Sequence, residues 1–232
     1  MIGGCAIGRD RRNQPREDRF LSEMEETGML RAIALNCSLK RSGKEPSSTD
    51  RMIALLSSHL DDHGVTLTET IRLADHDVKP GVTSDEGDGD AWPAIRERVL
   101  AADLLVFATP VWLGQMSSIA KRVLERMDAF LGEADDAGRM PSFSKVALVA
   151  VVGNEDGAHA ISASVYQALS DTGWTIPPSA TAYWVGEAMG GTDFKDLDRV
   201  PEKVDQAAAL AASSAAHLAG LLQKQPFPGV PG

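Results

Sequence analysis

The sequence predicts an α/β domain, a doubly wound parallel sheet of five strands with helices on both faces. Three observations point there. Short apolar runs alternate with segments of helical period from Arg31 to the region of Leu222. Three of those runs, at 32–35, 103–108 and 146–152, are almost wholly aliphatic or aromatic, the texture of strands covered on both faces. Strands that alternate with helices along the chain build parallel sheets, because each crossover carries a helix back over the sheet.

Each element has its own reason. Ala32-Ile33-Ala34-Leu35 is the first buried strand, followed by a polar loop over 37–47. Met52, Ile53, Leu56 and Leu60 then fall at helical spacing, with Ser48 or Thr49 as the expected cap and Gly64 as the stop. Residues 65–71 alternate and are rich in β-branched side chains, which suits a strand nearer the sheet edge. An acidic, glycine-containing loop spans 75–90, and residues 92–101 read as a short helix. The second buried strand occupies 103–108. Met116, Ile119, Ala120, Val123, Leu124, Met127 and Leu131 give the clearest helical stripe in the chain. A polar connection over 132–144 leads to the third buried strand at 146–152. Ala158, Ile161, Val165, Ala168, Leu169 and Thr172 are helical and end at Gly173. Residues 174–184 offer a last strand, interrupted by Pro177-Pro178, and an Ala-rich helix from Val204 to Leu221 closes the domain. Residues 1–30 are expected to be an extension outside the core, 31–222 the domain, and 223–232 a flexible tail.

Composition excludes several classes. With 232 residues, 43% of them apolar, the chain can bury a sufficient core without a metal or disulfide staple. It has only two cysteines, Cys5 and Cys37, and no Cys-x-x-Cys, which removes cysteine-held zinc and iron–sulfur centres. A net charge of −10 opposes nucleic acid or an anionic membrane surface as the main partner. No apolar stretch reaches the roughly 20 residues that span a bilayer, and Arg9, Arg11 and Arg12 interrupt any signal-peptide core. The expected setting is therefore the cytoplasm, without membrane insertion.

Five such strands suit the flavodoxin-like order 2-1-3-4-5, in which ligands sit beyond the carboxyl ends of the strands beside the first one. That geometry singles out three loops. The first, 36–49, has three basic residues against one acid within a chain of −10, and five hydroxyls: Ser38, Ser42, Ser47, Ser48 and Thr49. Hydroxyls leading into a helix N-terminus supply O–H and N–H donors with the positive end of the helix dipole, which together suit a phosphate. A solvated Ser-rich loop is the competing reading, and the fold context favours phosphate. The nucleotide-triphosphate and dinucleotide glycine motifs are both absent here. The second loop, Thr109-Pro110-Val111-Trp112-Leu113-Gly114-Gln115-Met116-Ser117, presents a Trp and a Leu as a flat apolar edge fit for a planar heteroaromatic ring. Trp112 packed inward as core is the alternative. The third, Gly153-Asn154-Glu155-Asp156-Gly157-Ala158-His159, offers polar groups to a ring edge, and His159 reads equally as a surface residue.

Ser38-x-Lys40 with Ser47-Ser48-Thr49, followed by residues 109–117 and Lys121, resembles the NADPH-dependent FMN reductase-like family of the flavodoxin superfamily. The resemblance covers about residues 31–190. It implies FMN as cofactor and NADPH or NADH as co-substrate. Ser38, Lys40, Ser47, Ser48 and Thr49 would hold the phosphate. Pro110, Val111, Trp112, Leu113, Gly114 and Gln115 would wrap the ring, and Asn154, Asp156 and Gly157 would close its pyrimidine side. It further implies hydride transfer from the nicotinamide through the flavin to a quinone, a flavin or a similar small acceptor, in a homodimer or homotetramer. No side chain is assigned as acid, base or nucleophile, since the flavin carries the chemistry. A flavodoxin-type electron carrier serving a protein partner is the alternative on the same scaffold.

Other signals carry less. His59 and His63 share a helix face without an evident third metal ligand. No Gly-x-Ser-x-Gly elbow occurs. The acidic cluster 85–90 reads as a solvated loop, and Tyr183 could border the site or a subunit contact, with core packing as the equal alternative.

Overall fold

The computed structural model describes residues 29–43, 46–187 and 190–230. The expectations for residues 1–28, including the short helix near Phe20, lie outside the described residues.

Among the described residues six strands form the sheet: β1 (Leu30–Asn36), β2 (Val65–Arg72), β3 (Leu104–Trp112), β4 (Gln115–Met116), β5 (Val146–Val152) and β6 (Thr181–Trp184). Their order is β2-β1-β3-β5-β6, all parallel, with the two-residue β4 antiparallel to β3. Without β4 this is the expected order 2-1-3-4-5. The helices are α1 (Ser48–Asp61), α2 (Trp92–Ala101), α3 (Ser118–Met127), α4 (Ala158–Asp171) and α5 (Glu202–Lys224).

Side chains alternate across the buried strands and so feed two cores. Ile33, Leu35, Leu105, Phe107, Ala147 and Val149 face α2, α3 and α4. Ala32, Ala34, Leu104, Val106, Leu148 and Ala150 face α1 and α5. The Ala-rich stripe of α5, from Ala208 to Ala219, lets that helix lie close over the sheet beside Met52, Ile53, Leu56 and Leu60 of α1. His59 joins the two helices, its Nε2 lying 2.9 Å from Asp205 Oδ1. Among the described residues no helix is long and apolar enough to cross a membrane.

Several local expectations change. The cap of α1 is Ser47, with Asp50 completing a capping box, so the helix begins at Ser48 instead of being capped by it. Strand β3 runs four residues past Ala108, because Pro110 occupies the last pair of its ladder with β5 and leaves no inner position without a donor. Met116 belongs to β4, and α3 starts after the cap Ser117. Of residues 174–184 only Thr181–Trp184 is strand, with Thr175 making a single bridge to Val146.

The acidic loop departs most from its reading. The Asp90 side chain is fully buried with that of Arg126, the two ionic groups 2.7 Å apart. Asp90 also accepts N–H bonds from Trp92, Lys79 and Glu86, and Arg126 donates to the carbonyls of Thr83 and Lys79. Burial alone would raise the Asp90 pKa, yet Arg126 and the amides outweigh it and hold the carboxyl well below the usual carboxylate range. Residues 226–230, expected as part of a flexible tail, make contacts: Phe227 donates its N–H to Ser144 Oγ at 2.8 Å and meets Phe143 edge-on.

Candidate functional site

The carboxyl ends of β1, β3 and β5 bring the three loops together. Ser117 knots the first two. Its N–H reaches Thr109 Oγ1 at 3.1 Å, its Oγ donates to the Cys37 carbonyl at 2.7 Å, and the same Oγ caps α3 through Ala120 N–H. The Cys37 thiol beside this knot is buried, and burial pushes it up, so it is a packing group.

At the phosphate end, Asn36 closes β1. Its side chain accepts from Ser38 N–H at 2.9 Å and donates to Asp50 at 2.6 Å. Asp50 pairs with Arg72 from the end of β2, and Arg72 also holds the Lys40 carbonyl. Burial would raise the Asp50 pKa, but the Ser47 amide and Arg72 together lower it, so the carboxylate is ionised. Lys40 N–H bonds to Ser38 Oγ, while the Lys40 side chain is exposed. Ser47 is committed to the cap, its hydroxyl 3.1 Å from Asp50 Oδ2, and Thr49 is buried. Ser48 is half-buried, and its Oγ accepts the Lys195 N–H at 3.2 Å. The first helical amides, those of Ser48 and Thr49, have no partner within the helix and form the natural anion seat.

At the ring end, β3 and β4 make a hairpin with a two-residue turn. Leu113 and Gly114 both have positive φ, 52° and 71°, the primed turn that suits the strand twist. Leu113 is an uncommon choice at such an angle and is 91% exposed, with Trp112 beside it 53% exposed. Trp112 is therefore not core. Pro110 and Val111 lie in β3, with Val111 buried beneath the hairpin, and Gln115 is exposed on β4. Replacing Trp112 with Ala should change the unfolding free energy by less than about 0.5 kcal/mol while altering ligand fluorescence or turnover, as a thermal melt and a flavin titration would read.

The third loop packs directly on that hairpin. Leu113 N–H donates to Glu155 Oε1 at 2.9 Å. Gly157, at φ 130°, lies so close that a β-carbon there would sit 2.7 Å from the Gly114 carbonyl oxygen. Asp156 is exposed and accepts the Gly157 N–H, and Asn154 donates its side-chain amide to the Gly190 carbonyl at 2.8 Å. His159 is exposed and stands edge-on to Tyr183, ring centres 5.1 Å apart, and both line a groove of about 440 Å³ along α4, β6 and α5. Lys121, on α3, pairs with Glu125.

Asp50, Arg72 and Glu155 shape the site but were not singled out by sequence. The spacing Ser47-x-x-Asp50 carries the signal for the first, since a capping box needs an acid three residues after its cap. Arg72 and Glu155 act through the meeting of distant strand ends, which no local pattern displays.

The sequence model of the NADPH-dependent FMN reductase family matches residues 30–188. An 8-demethyl-8-aminoriboflavin-5'-phosphate synthase of Streptomyces davaonensis is 31% identical over 210 residues, which is 85% of this chain and 80% of that protein. A crystal structure of RosB with a bound intermediate, 8-demethyl-8-formylriboflavin-5'-phosphate, superposes with a TM-score of 0.76 at 31% identity, covering 86% of this chain and 82% of that one. A divalent metal cation transporter MntH of Mycobacterium bovis is 40% identical over 171 residues, 72% of this chain. The chain spans only 25% of that relative's length.

Proposed function

The chain belongs to the NADPH-dependent FMN reductase family, and from that premise we propose that it passes hydride from NADPH or NADH through FMN to a quinone, a flavin or a similar small acceptor. The supporting observation is the meeting, at one end of the sheet, of a hydroxyl-rich helix N-terminus with an exposed Trp-Leu hairpin edge. Those are the two chemistries that a flavin phosphate and a flavin ring require. Bound FMN supplies the hydride-accepting ring, and the chain's residues supply its place. The amides of Ser48 and Thr49 and the Ser48 hydroxyl would hold the phosphate, with Ser38 and Lys40 flanking it. Ser47 contributes by capping α1, so its hydroxyl acts on the phosphate only through that helix end. Trp112 and Leu113 would cover the ring edge and exclude water, while Asn154, Asp156 and Gly157 border the pyrimidine side.

Purified protein reconstituted with FMN should show flavin absorbance that NADPH or NADH bleaches under anaerobic conditions and that a quinone restores. Failure to take up FMN overturns the reading. Reoxidation by a protein partner alone would favour the flavodoxin-type carrier. Elution on calibrated gel filtration tests the homodimer or homotetramer implied by the resemblance.

A second reading is favoured by the relative named as an 8-demethyl-8-aminoriboflavin-5'-phosphate synthase and by the similar structure that holds a phosphorylated flavin intermediate. Here the phosphorylated flavin would be substrate instead of resident cofactor. Mass spectrometry of the flavin recovered after incubation separates the two, since a cofactor returns unchanged in mass and a substrate does not.

A further inference from the structure

Residues 190–197 follow β6 and lie beyond the family-matched residues 30–188, yet they touch the site at two distant points. The Gly190 carbonyl accepts from Asn154 Nδ2 at 2.8 Å, and Lys195 N–H donates to Ser48 Oγ at 3.2 Å. The segment is pinned to α1 by Arg51, whose Nη1 donates to the carbonyls of Phe194, Lys195 and Leu197 at 2.7, 3.2 and 2.6 Å. Beneath it, the Phe194 ring is fully buried against Trp184, with the Arg51 guanidinium 5.3 Å over its face.

These contacts decide which atoms the two site residues turn toward a ligand. A hydroxyl has one proton to give and two lone pairs. Once Ser48 Oγ accepts the Lys195 amide, its proton remains for another acceptor, and accepting a bond strengthens its donation. A side-chain amide whose nitrogen is held by a carbonyl turns its oxygen the opposite way. Asn154 Oδ1 is thereby set as an acceptor. We propose that residues 190–197 are a positioning strap that orients Ser48 as a donor to the phosphate, and Asn154 as an acceptor for the ring N–H, of a 5'-phosphorylated flavin. This inference rests on the flavin reading above and adds to it a basis for choosing FMN over riboflavin. Arg51 is the positioning residue, acting through the strap without meeting the ligand.

The test is fluorescence titration of wild type and Arg51→Met with FMN and, separately, with riboflavin, alongside a thermal melt. Arg51→Met should weaken FMN binding at least 10-fold and riboflavin binding less, because only FMN carries the phosphate that Ser48 meets. A folded Arg51→Met protein that binds FMN within twofold of wild type overturns the proposal. Equal losses for the two flavins overturn the phosphate role of Ser48. Should Arg51→Met not fold, Arg51→Lys carries the same comparison, since an ammonium lacks the guanidinium's reach across three carbonyls. Wild type that binds neither flavin refutes the parent reading, whereas wild type that binds FMN beside an unaffected Arg51 variant refutes the strap alone.

Discussion

Arg126→Met lowers the unfolding free energy by about 3–5 kcal/mol, the cost of leaving a buried charge without its partner. Arg126 is fully buried, pairs with Asp90, and bonds the carbonyls of Thr83 and Lys79. Its loss removes these bonds between the 79–90 loop and α3. For a chain of this size the thermal midpoint should fall by about 10 °C. The double variant Asp90→Asn with Arg126→Met should recover part of the loss, since removing both charges leaves neither stranded. A midpoint unchanged in the single variant would show the pair to be dispensable. The pair also sets an acid dependence. Asp90 is held below its ordinary pKa when folded, so its stabilisation is present above the unfolded carboxylate pKa, about 3.9, and is lost as pH falls toward the depressed folded value. Denaturant melts from pH 6 down to pH 2 should show a stability decline that flattens in Asp90→Asn.

Gly157→Ala should cost FMN retention at least 10-fold. Its φ of 130° is one that residues with a side chain rarely adopt. The added carbon would lie 2.7 Å from the Gly114 carbonyl oxygen and 2.9 Å from the Gly114 α-carbon. The third loop must then withdraw from the hairpin, and the bond from Leu113 N–H to Glu155 that fixes the hairpin tip is stretched with it. The sheet and both cores lie below this contact, so far-ultraviolet circular dichroism should be unchanged. Retained wild-type affinity for FMN would mean that the two loops are not one binding surface.

What the chain discloses in its sequence follows the range of the interactions involved. The buried strands were legible because burial on two faces forces an unbroken apolar run, and α3 because its apolar residues from Ile119 to Met127 keep a local helical period. Loops at the switch point were legible from topology alone. Asp90 was not, since its partner Arg126 stands on another element and an acid among acids looks solvated. The hairpin at Leu113 was hidden for a different reason: its positive φ is normally announced by Asn or Asp, and Leu announces nothing. The strap escaped because its hold is on backbone carbonyls, which every residue possesses, through a single Arg on a helix far away in the chain.

The Ala-lined α5 has a consequence during synthesis. It shares with α1 the covering of one sheet face, and it follows every strand of that sheet along the chain. Until Ala208 through Leu222 emerge, Leu148, Ala150 and the flank of α1 lack that cover, so the nascent chain carries an adhesive face while the preceding elements of the sheet are made. Completion of this layer, and with it full cooperativity of unfolding, therefore waits for α5 to emerge.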